Sequence, residues 1–340
     1  MTARNPAPQV SATIYSVAEA AGVSIATVSR VLQGTTAVSE RTRAKVLDAV
    51  DQLDYIPVAA ARSLAVRHHE AIGLVLPELS GPYYSELLMG FEGAASELGL
   101  GVVVALGETA RAPGSESFAR MSAGVDGLAV LGGAVPDGLL RRTARQKPVV
   151  LLASDNLAGV EGLHAENAGS AQRLAAHLLD EHGRRRLAFA GDPDRAPDVR
   201  ARYLGFASAL TERGLAVPQP LRSGMRESDG RQLADLVLAG DLTADACVCA
   251  NDELAIAMMD RLERAGRRLP DDLAVVGWDD IMAARYVRPR LTTVAQPVRE
   301  LGALAAIRLH DRISGGAARA DPTVLDTTVV FRGSCGCPDP

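Results

Sequence analysis

Residues 13–34 read TIYSVAEAAGVSIATVSRVLQG. Ser16 and Glu19 carry the S-x-x-E spacing of a capping box, with Ser16 as N-cap and Glu19 reaching back to it. The helix they start stops at Gly22, a residue suited to a left-handed helix C-terminus. Ser24 then caps a second helix over 25–32, which Gly34 ends. Two short helices across a glycine-containing turn form the helix-turn-helix pattern. Ser39 caps a third, longer helix to Leu53, in which Val46, Ala49, Val50 and Leu53 recur at helical spacing.

The second helix has two faces. At 100° per residue Val28, Val31 and Leu32 fall on one side and must pack on its neighbours. Ala26, Ser29 and Arg30 point away, flanked by Ile25 and Thr27. Small side chains near its N-terminal end let such a helix approach base edges. Arg30 can hydrogen-bond guanine or a phosphate, and Ile25 or Ala26 can touch a thymine methyl. An ordinary helical hairpin with a solvated face gives the same pattern.

The residues beyond the third helix favour DNA. Pro57 is placed to start another helix, and residues 59–65, AAARSLA, are strong helix formers under three turns long. A helix that short is marginal alone in water. Leu64 among alanines, with Arg62 and Arg67 nearby, reads as a minor-groove wedge; the plain alternative is a linker. Charge agrees: the whole chain carries −5, but residues 1–67 hold seven Lys/Arg against five Asp/Glu, a mildly basic head on an acidic body.

These segments, residues 13–24, then Thr27-Val28-Ser29-Arg30-Val31-Leu32, Tyr55-Ile56-Pro57 and Ala61-Arg62-Ser63-Leu64, resemble the lactose/galactose repressor family. The resemblance implies that Ile25 and Ala26 vary with operator sequence. It implies that Ser24, Thr27, Ser29 and Arg30 position or read DNA, that Tyr15 and Ala61 join them, and that Leu64 intercalates. Val58 departs from the family's usual Asn, which bears on one backbone contact of the hinge.

From Ile72 onward short apolar runs alternate with amphipathic stretches. Strands are expected at 72–77, 101–106, 127–131, 148–152, 187–190, 246–250 and 273–277. Helices are expected at 83–98, 168–181, 199–213, 229–238 and 253–265, with a further one between the strands at 127–131 and 148–152. Strands spaced by helices mean parallel sheets covered on both faces, and two such series mean two lobes with a ligand site at the strand C-terminal ends. Polar residues stop these strands: Ser154-Asp155, Asn251-Asp252 and Trp278-Asp279-Asp280. With Arg202 they make a sugar-like site, the aromatic face of Trp278 covering a pyranose ring. Asn251 and Asp280 would serve equally as helix caps.

The body is similar to the same family, and through it to periplasmic sugar-binding proteins. The resemblance implies ligand contacts from Arg202, Asn251 and Asp279. It also places an interlobe crossover at Pro289-Arg290-Leu291-Thr292-Thr293 and Gln296-Pro297. Ala153 and Gly81 stand where Asp and Asn are frequent, removing polar contacts from the N-terminal lobe. The fold class expected is therefore α/β: an all-α helix-turn-helix head (11–57), a hinge helix and linker (58–68), and a two-lobed periplasmic-binding-protein-like core (70–337). Its N-lobe covers about 70–165 and 297–324, its C-lobe about 166–293 and 325–337.

Other classes fare worse. There is no GxGxxG fingerprint, P-loop, nucleophile elbow or metal-binding histidine pair, so no enzyme is expected. Adjacent His68 and His69 read as solvated. A transport receptor would explain the body but not residues 13–57, and the N-terminus lacks a secretory signal. Of four cysteines, Cys247 and Cys249 alternate as core strand residues do. Cys335 and Cys337 are too close for a comfortable disulfide, and no histidine spacing suits zinc, so no metal or cofactor is expected. No leucine heptads follow Cys337, which disfavours a tetramer through a C-terminal coiled coil. The expectation is a cytoplasmic, nucleoid-associated homodimer on a palindromic, double-stranded operator. It would act as a repressor and bind a small sugar-like effector without membrane association.

Overall fold

The computed structural model describes residues 12–32, 38–55, 68–107, 116–157 and 159–338. The hinge positions Ala61 and Leu64, and Gly34, lie outside them. The chain divides into two units, Met1–His69 and Glu70–Pro340.

In the first unit, helices α1 (Ile14–Ala21), α2 (Ile25–Leu32) and α3 (Glu40–Gln52) enclose a small core of Val17, Val28, Val31, Val46 and Ala49. The α1 cap differs from expectation. Thr13, not Ser16, is the N-cap: Ser16 N–H donates to Thr13 Oγ1, and Thr13 N–H donates back to Ser16 Oγ, each at 3.3 Å. Ile14 and Tyr15 are already helical, so Ser16 is the third helical residue, and Glu19 has no part in the box. Gly22 closes α1 at φ 65°, as a left-handed C-cap requires. Thr27 N–H donates to Ser24 Oγ, and Thr42 N–H to Ser39 Oγ, so both expected serine caps form.

The second unit contains two parallel sheets. The first has β1 (Ala71–Leu76), β2 (Gly101–Leu106), β3 (Gly127–Leu131), β4 (Val149–Leu152), β5 (Glu161–Ala165) and, far along the chain, β10 (Thr323–Leu325), in the order β10-β5-β4-β3-β1-β2. Helix α4 (Pro82–Glu97) packs against α11 (Val298–Ile313), and both bury apolar residues on this sheet. Where these two helices cross, glycine is obligatory on both sides. A Cβ on Gly90 would lie 1.9 Å from Arg299 O, and one on Gly302 2.1 Å from Leu87 O.

The second sheet, β6 (Leu187–Ala190), β7 (Ala246–Cys249) and β8 (Ala274–Val276), is buried on both faces. Leu187, Phe189, Ala246, Val248, Ala274 and Val276 join one apolar cluster; Ala188, Ala190, Cys247, Cys249 and Val275 join the other. That is period-two alternation between two covered faces, the mark of a helix-flanked parallel sheet. Helices α7 (Ala168–Asp180) and α8 (Pro197–Thr211) pack on the first face, α9 (Glu227–Ala239) and α10 (Asp252–Arg264) on the second. A short antiparallel pair, β9 (Thr293–Ala295) with β11 (Thr328–Val330), joins this half. The chain passes between the two sheet systems after β5, after β9 and after β10.

Six strands and α-helices escaped the alternation reading: strands β5, β9, β10 and β11 and helices α5 (Glu116–Ala123) and α11; the helix expected between β3 and β4 is α6 (Asp137–Ala144). Strand β5 is EGLHA, hardly apolar, yet Glu161 is 1% exposed and pairs with Arg308 at 3.2 Å. Partnering the carboxylate is what allows a polar residue into the strand.

Candidate functional site

Helix α2 sets its residues as amphipathicity requires. Val28 and Val31 are buried. Ser24, Ile25, Ala26 and Arg30 are exposed and share the outer side with half-buried Thr27 and Ser29. Ser24 and Thr27 hydroxyls also bond each other at 2.9 Å, which holds the helix start in one geometry. Tyr15 is 69% exposed, an unusual position for so large a ring. Among the described residues the head thus presents one helix face of small, polar and basic side chains, the chemistry needed to enter a groove.

In the second unit a cleft opens where β1, β3, β4, β7 and β8 end. Open parallel sheets bind their ligands there, in the crevice outside the carboxyl ends of the strands. One wall carries Gly81, Tyr83, Tyr84, Gly132 and Ala153 from the first sheet system. The other carries Asp198, Arg202, Asn251, Glu253 and Asp279 from the second.

Arg202 is the most constrained group in the cleft. It is 5% exposed, donates from Nε to Asn167 Oδ1 at 2.8 Å and from Nη1 to Ala250 O at 2.6 Å, and pairs with Asp198 at 3.5 Å. Its guanidinium carbon lies 4.5 Å from the Trp278 ring centroid. Such a charge is fixed before any ligand arrives. Burial raises the Asp198 carboxyl to about 6 despite Arg202, and raises Asp279 to about 8 despite Arg202 and a 2.5 Å hydrogen bond from Gln296 Nε2. Desolvation penalises the charged form more than one arginine can offset. Near neutral pH Asp279 therefore holds a proton and can donate as well as accept. The Tyr83 phenol is also pushed upward by burial and stays protonated.

Backbone strain gathers at the same place. Ala153 has φ 53° and Asp279 φ 117°, and both line the cleft. Non-glycine residues in this region cost free energy that the surroundings must impose.

The sequence-derived candidates separate into two groups. Arg202, Asn251 and Asp279 line the cleft together. Asn251 also caps α10, accepting from Leu254 N–H at 3.0 Å and donating to Met225 O at 2.9 Å, so the cap and the cleft position coexist. Trp278 does not reach the cleft: it is 1% exposed and lies in the core beneath Arg202, where it supports the guanidinium rather than covering a ring. Ser154 and Asp155 also fall outside the lining, and Asp155 is turned to His164 at 3.3 Å. Asp280 is held by Arg332 and Arg285, a structural role. Sequence reasoning missed Tyr83, Tyr84, Asp198 and Glu253. The aromatic pair directly after Pro82, at a strand-to-helix junction, was the signal available. The rings meet edge-on at 5.5 Å and supply the apolar surface expected of Trp278.

Comparison with known proteins converges on one family. Residues 13–58 match the model described as bacterial regulatory proteins, lacI family, and residues 175–335 match a periplasmic binding protein-like domain. Catabolite control protein A from Streptococcus mutans is 33% identical over 332 residues, covering 95% of this chain and 97% of that protein. The chain belongs to the lacI family. It is a DNA-binding transcriptional regulator. Two solved regulator structures cover 95% of it, with 99% of each covered in return. The lac repressor dimer bound to operator and the anti-inducer ONPF superposes with a TM-score of 0.81 at 27% identity. A complex of the transcriptional regulator CelR with cellobiose superposes at 0.70 with 28% identity. No helix among the described residues of this lacI-family chain is long and apolar enough to cross a membrane.

Proposed function

We propose that this lacI-family regulator is a repressor that holds a palindromic operator as a homodimer and changes its affinity when a small, uncharged, polyhydroxylated effector fills the cleft. The observation that carries the effector assignment is the wall of Asp198, Arg202 and Asp279 facing Tyr83 and Tyr84. Carboxyl groups and a fixed guanidinium accept from and donate to hydroxyls, and an aromatic pair covers the apolar face of a ring. Asp198 already balances Arg202, and Asp279, protonated near neutral pH, adds no positive charge, so the wall offers a phosphate no excess cation, which sets phosphosugars aside.

In this reading Tyr15, Ser24, Ile25, Ala26, Thr27, Ser29, Arg30, Ala61 and Leu64 contact DNA, and residues 58–68 couple the core to the head. Closing of the 70–337 core on its effector moves the two hinges of the dimer, so effector binding and operator binding are linked. The protein works in the cytoplasm, on the nucleoid, and turns over nothing it binds.

Thermal-shift screening of the full chain against neutral sugars, phosphosugars and nucleosides tests the assignment, because a ligand stabilises the state it binds. A neutral sugar or glycoside is expected to raise the Tm of the core. Stabilisation by phosphorylated compounds alone would overturn the reading.

A further inference from the structure

Four side chains outside the cleft converge on one point. His177 lies near the C-terminal end of α7 and His182 just beyond it. Cys335 and Cys337 lie in the last described turn of the chain. Their donor atoms, two imidazole nitrogens and two sulfurs, all lie within 4.8 Å of one another. His177 Nε2 and His182 Nε2 are 3.0 Å apart. Cys337 Sγ is 3.3 Å from the first and 3.5 Å from the second, and Cys335 Sγ is 3.7 Å from His177 Nε2.

Those separations have a specific meaning. Zinc–nitrogen bonds of about 2.0–2.1 Å and zinc–sulfur bonds of about 2.3 Å in a tetrahedron give edges of about 3.4 Å between nitrogens and about 3.6 Å from nitrogen to sulfur. The three nitrogen–sulfur separations, 3.3–3.7 Å, bracket the expected edge, and the two nitrogens stand slightly closer than theirs, at 3.0 Å. Two imidazole nitrogens aimed at each other gain at most one hydrogen bond, and only with one of them protonated. Two thiols beside them add little, because S–H is a weak donor.

The surroundings hold the four groups in this arrangement. Ser334 Oγ donates to Val275 O at 2.5 Å and accepts from Thr292 N–H at 2.9 Å, which pins the tail to the second sheet. Cys335 is fully buried and its sulfur accepts from Thr292 Oγ1 at 3.1 Å. Gly336, between the two cysteines, has φ 114°, and a Cβ there would lie 2.9 Å from His182 Nδ1. Only glycine lets the chain pass against that ring. Phe331 covers His177 with ring centroids 3.9 Å apart.

We propose that His177, His182, Cys335 and Cys337 form a closed Cys2His2 site for one tetrahedral, borderline-soft divalent cation of the zinc type, which clamps the C-terminal tail to the end of α7. Binding releases the two thiol protons to solvent, and two thiolates balance the ion's charge. With four protein ligands no open position remains, so the site is structural rather than hydrolytic. Cys335 and Trp278 share one apolar cluster, so the clamp stiffens the core that carries Arg202.

The test uses the full chain, stripped of metal by chelator under reductant, with all four thiols confirmed free before titration. Zinc added in competition with a chromogenic chelator should bind at one ion per chain, with Kd of about 1 nM or tighter. Cobalt in its place should give a thiolate charge-transfer band and the intense ligand-field absorption of a tetrahedral site. Cys337→Ser and His182→Gln, both at partly exposed positions, should each weaken binding by at least about 100-fold. Trp278 emission checks that these variants remain folded. Cys249→Ala, in the buried strand pair, should leave the stoichiometry at one. Zinc binding weaker than micromolar by the reduced protein would overturn the proposal, as would undiminished binding by the folded Cys337→Ser or His182→Gln chains.

Discussion

Replacing Arg202 with Met removes a charge that the core is built around. The guanidinium donates to Asn167 Oδ1 and Ala250 O and pairs with Asp198. Removing one partner of a buried pair costs about 3–5 kcal/mol, because the other is left uncompensated. Two orphaned acceptors add to this at about 1–3 kcal/mol each. Protonation limits the loss, since the Asp198 carboxyl already sits at about 6 with Arg202 beside it and rises further without it. The net expectation is a destabilisation of about 4 kcal/mol, a Tm lower by about 10 °C for a core of this size.

The assay is urea unfolding followed by tryptophan emission. Trp278 is the single tryptophan, and Arg202 lies over its ring, so the signal reports on the affected core and not on the head. The double variant Arg202→Met/Asp198→Asn removes the stranded carboxylate and should regain about 2 kcal/mol. A loss under about 1 kcal/mol for Arg202→Met, or a double variant no more stable than the single, would refute the view that this pair organises the cleft.

The raised carboxyls give an inverted pH dependence. A carboxyl whose folded pKa lies above its unfolded value binds more protons in the native state, so its contribution is present at low pH and lost as pH rises. With Asp198 at about 6, Asp252 about 7 and Asp279 about 8, core stability measured by Trp278 emission should fall from pH 4 towards pH 8. Asp198→Asn should flatten the part of that slope between pH 4 and pH 6, worth about 3 kcal/mol. In the head, Thr13→Ala should lower stability by about 1 kcal/mol while Glu19→Ala changes it little, measured by circular dichroism on the low-temperature transition.

The sequence was most informative where local rules act alone. Apolar runs bounded by turns placed β2 (Gly101–Leu106), β3 (Gly127–Leu131) and β6 (Leu187–Ala190) to the residue; in β3 and β6 burial on both faces leaves an unbroken apolar string, while β2 keeps its apolar run at the exposed sheet edge. Polar strand ends located the wall holding Arg202, Asn251 and Asp279. The hidden features depend on side-chain direction or on distant contacts. Trp278 and Asp279 are neighbours, yet one points into the core and the other lines the cleft, and a sequence does not state which is which. Glu161 conceals a strand because its partner, Arg308, is supplied by a helix much later in the chain. His177 and Cys335 stand 158 residues apart, so no local spacing announces their meeting. The α1 cap moved from Ser16 to Thr13 because both fit the same short polar frame, and only the first helical turn distinguishes them.

The most direct measurement selects duplexes from a randomised pool with the full chain, then titrates a labelled selected site by fluorescence anisotropy against random DNA at fixed salt. The expected result is a palindrome bound at least about 1,000-fold more tightly than random sequence, with Arg30→Ala losing about 1–3 kcal/mol and the effector found by thermal shift changing the affinity. Equal binding to selected and random duplexes, unmoved by Arg30→Ala or by effector, would contradict the account.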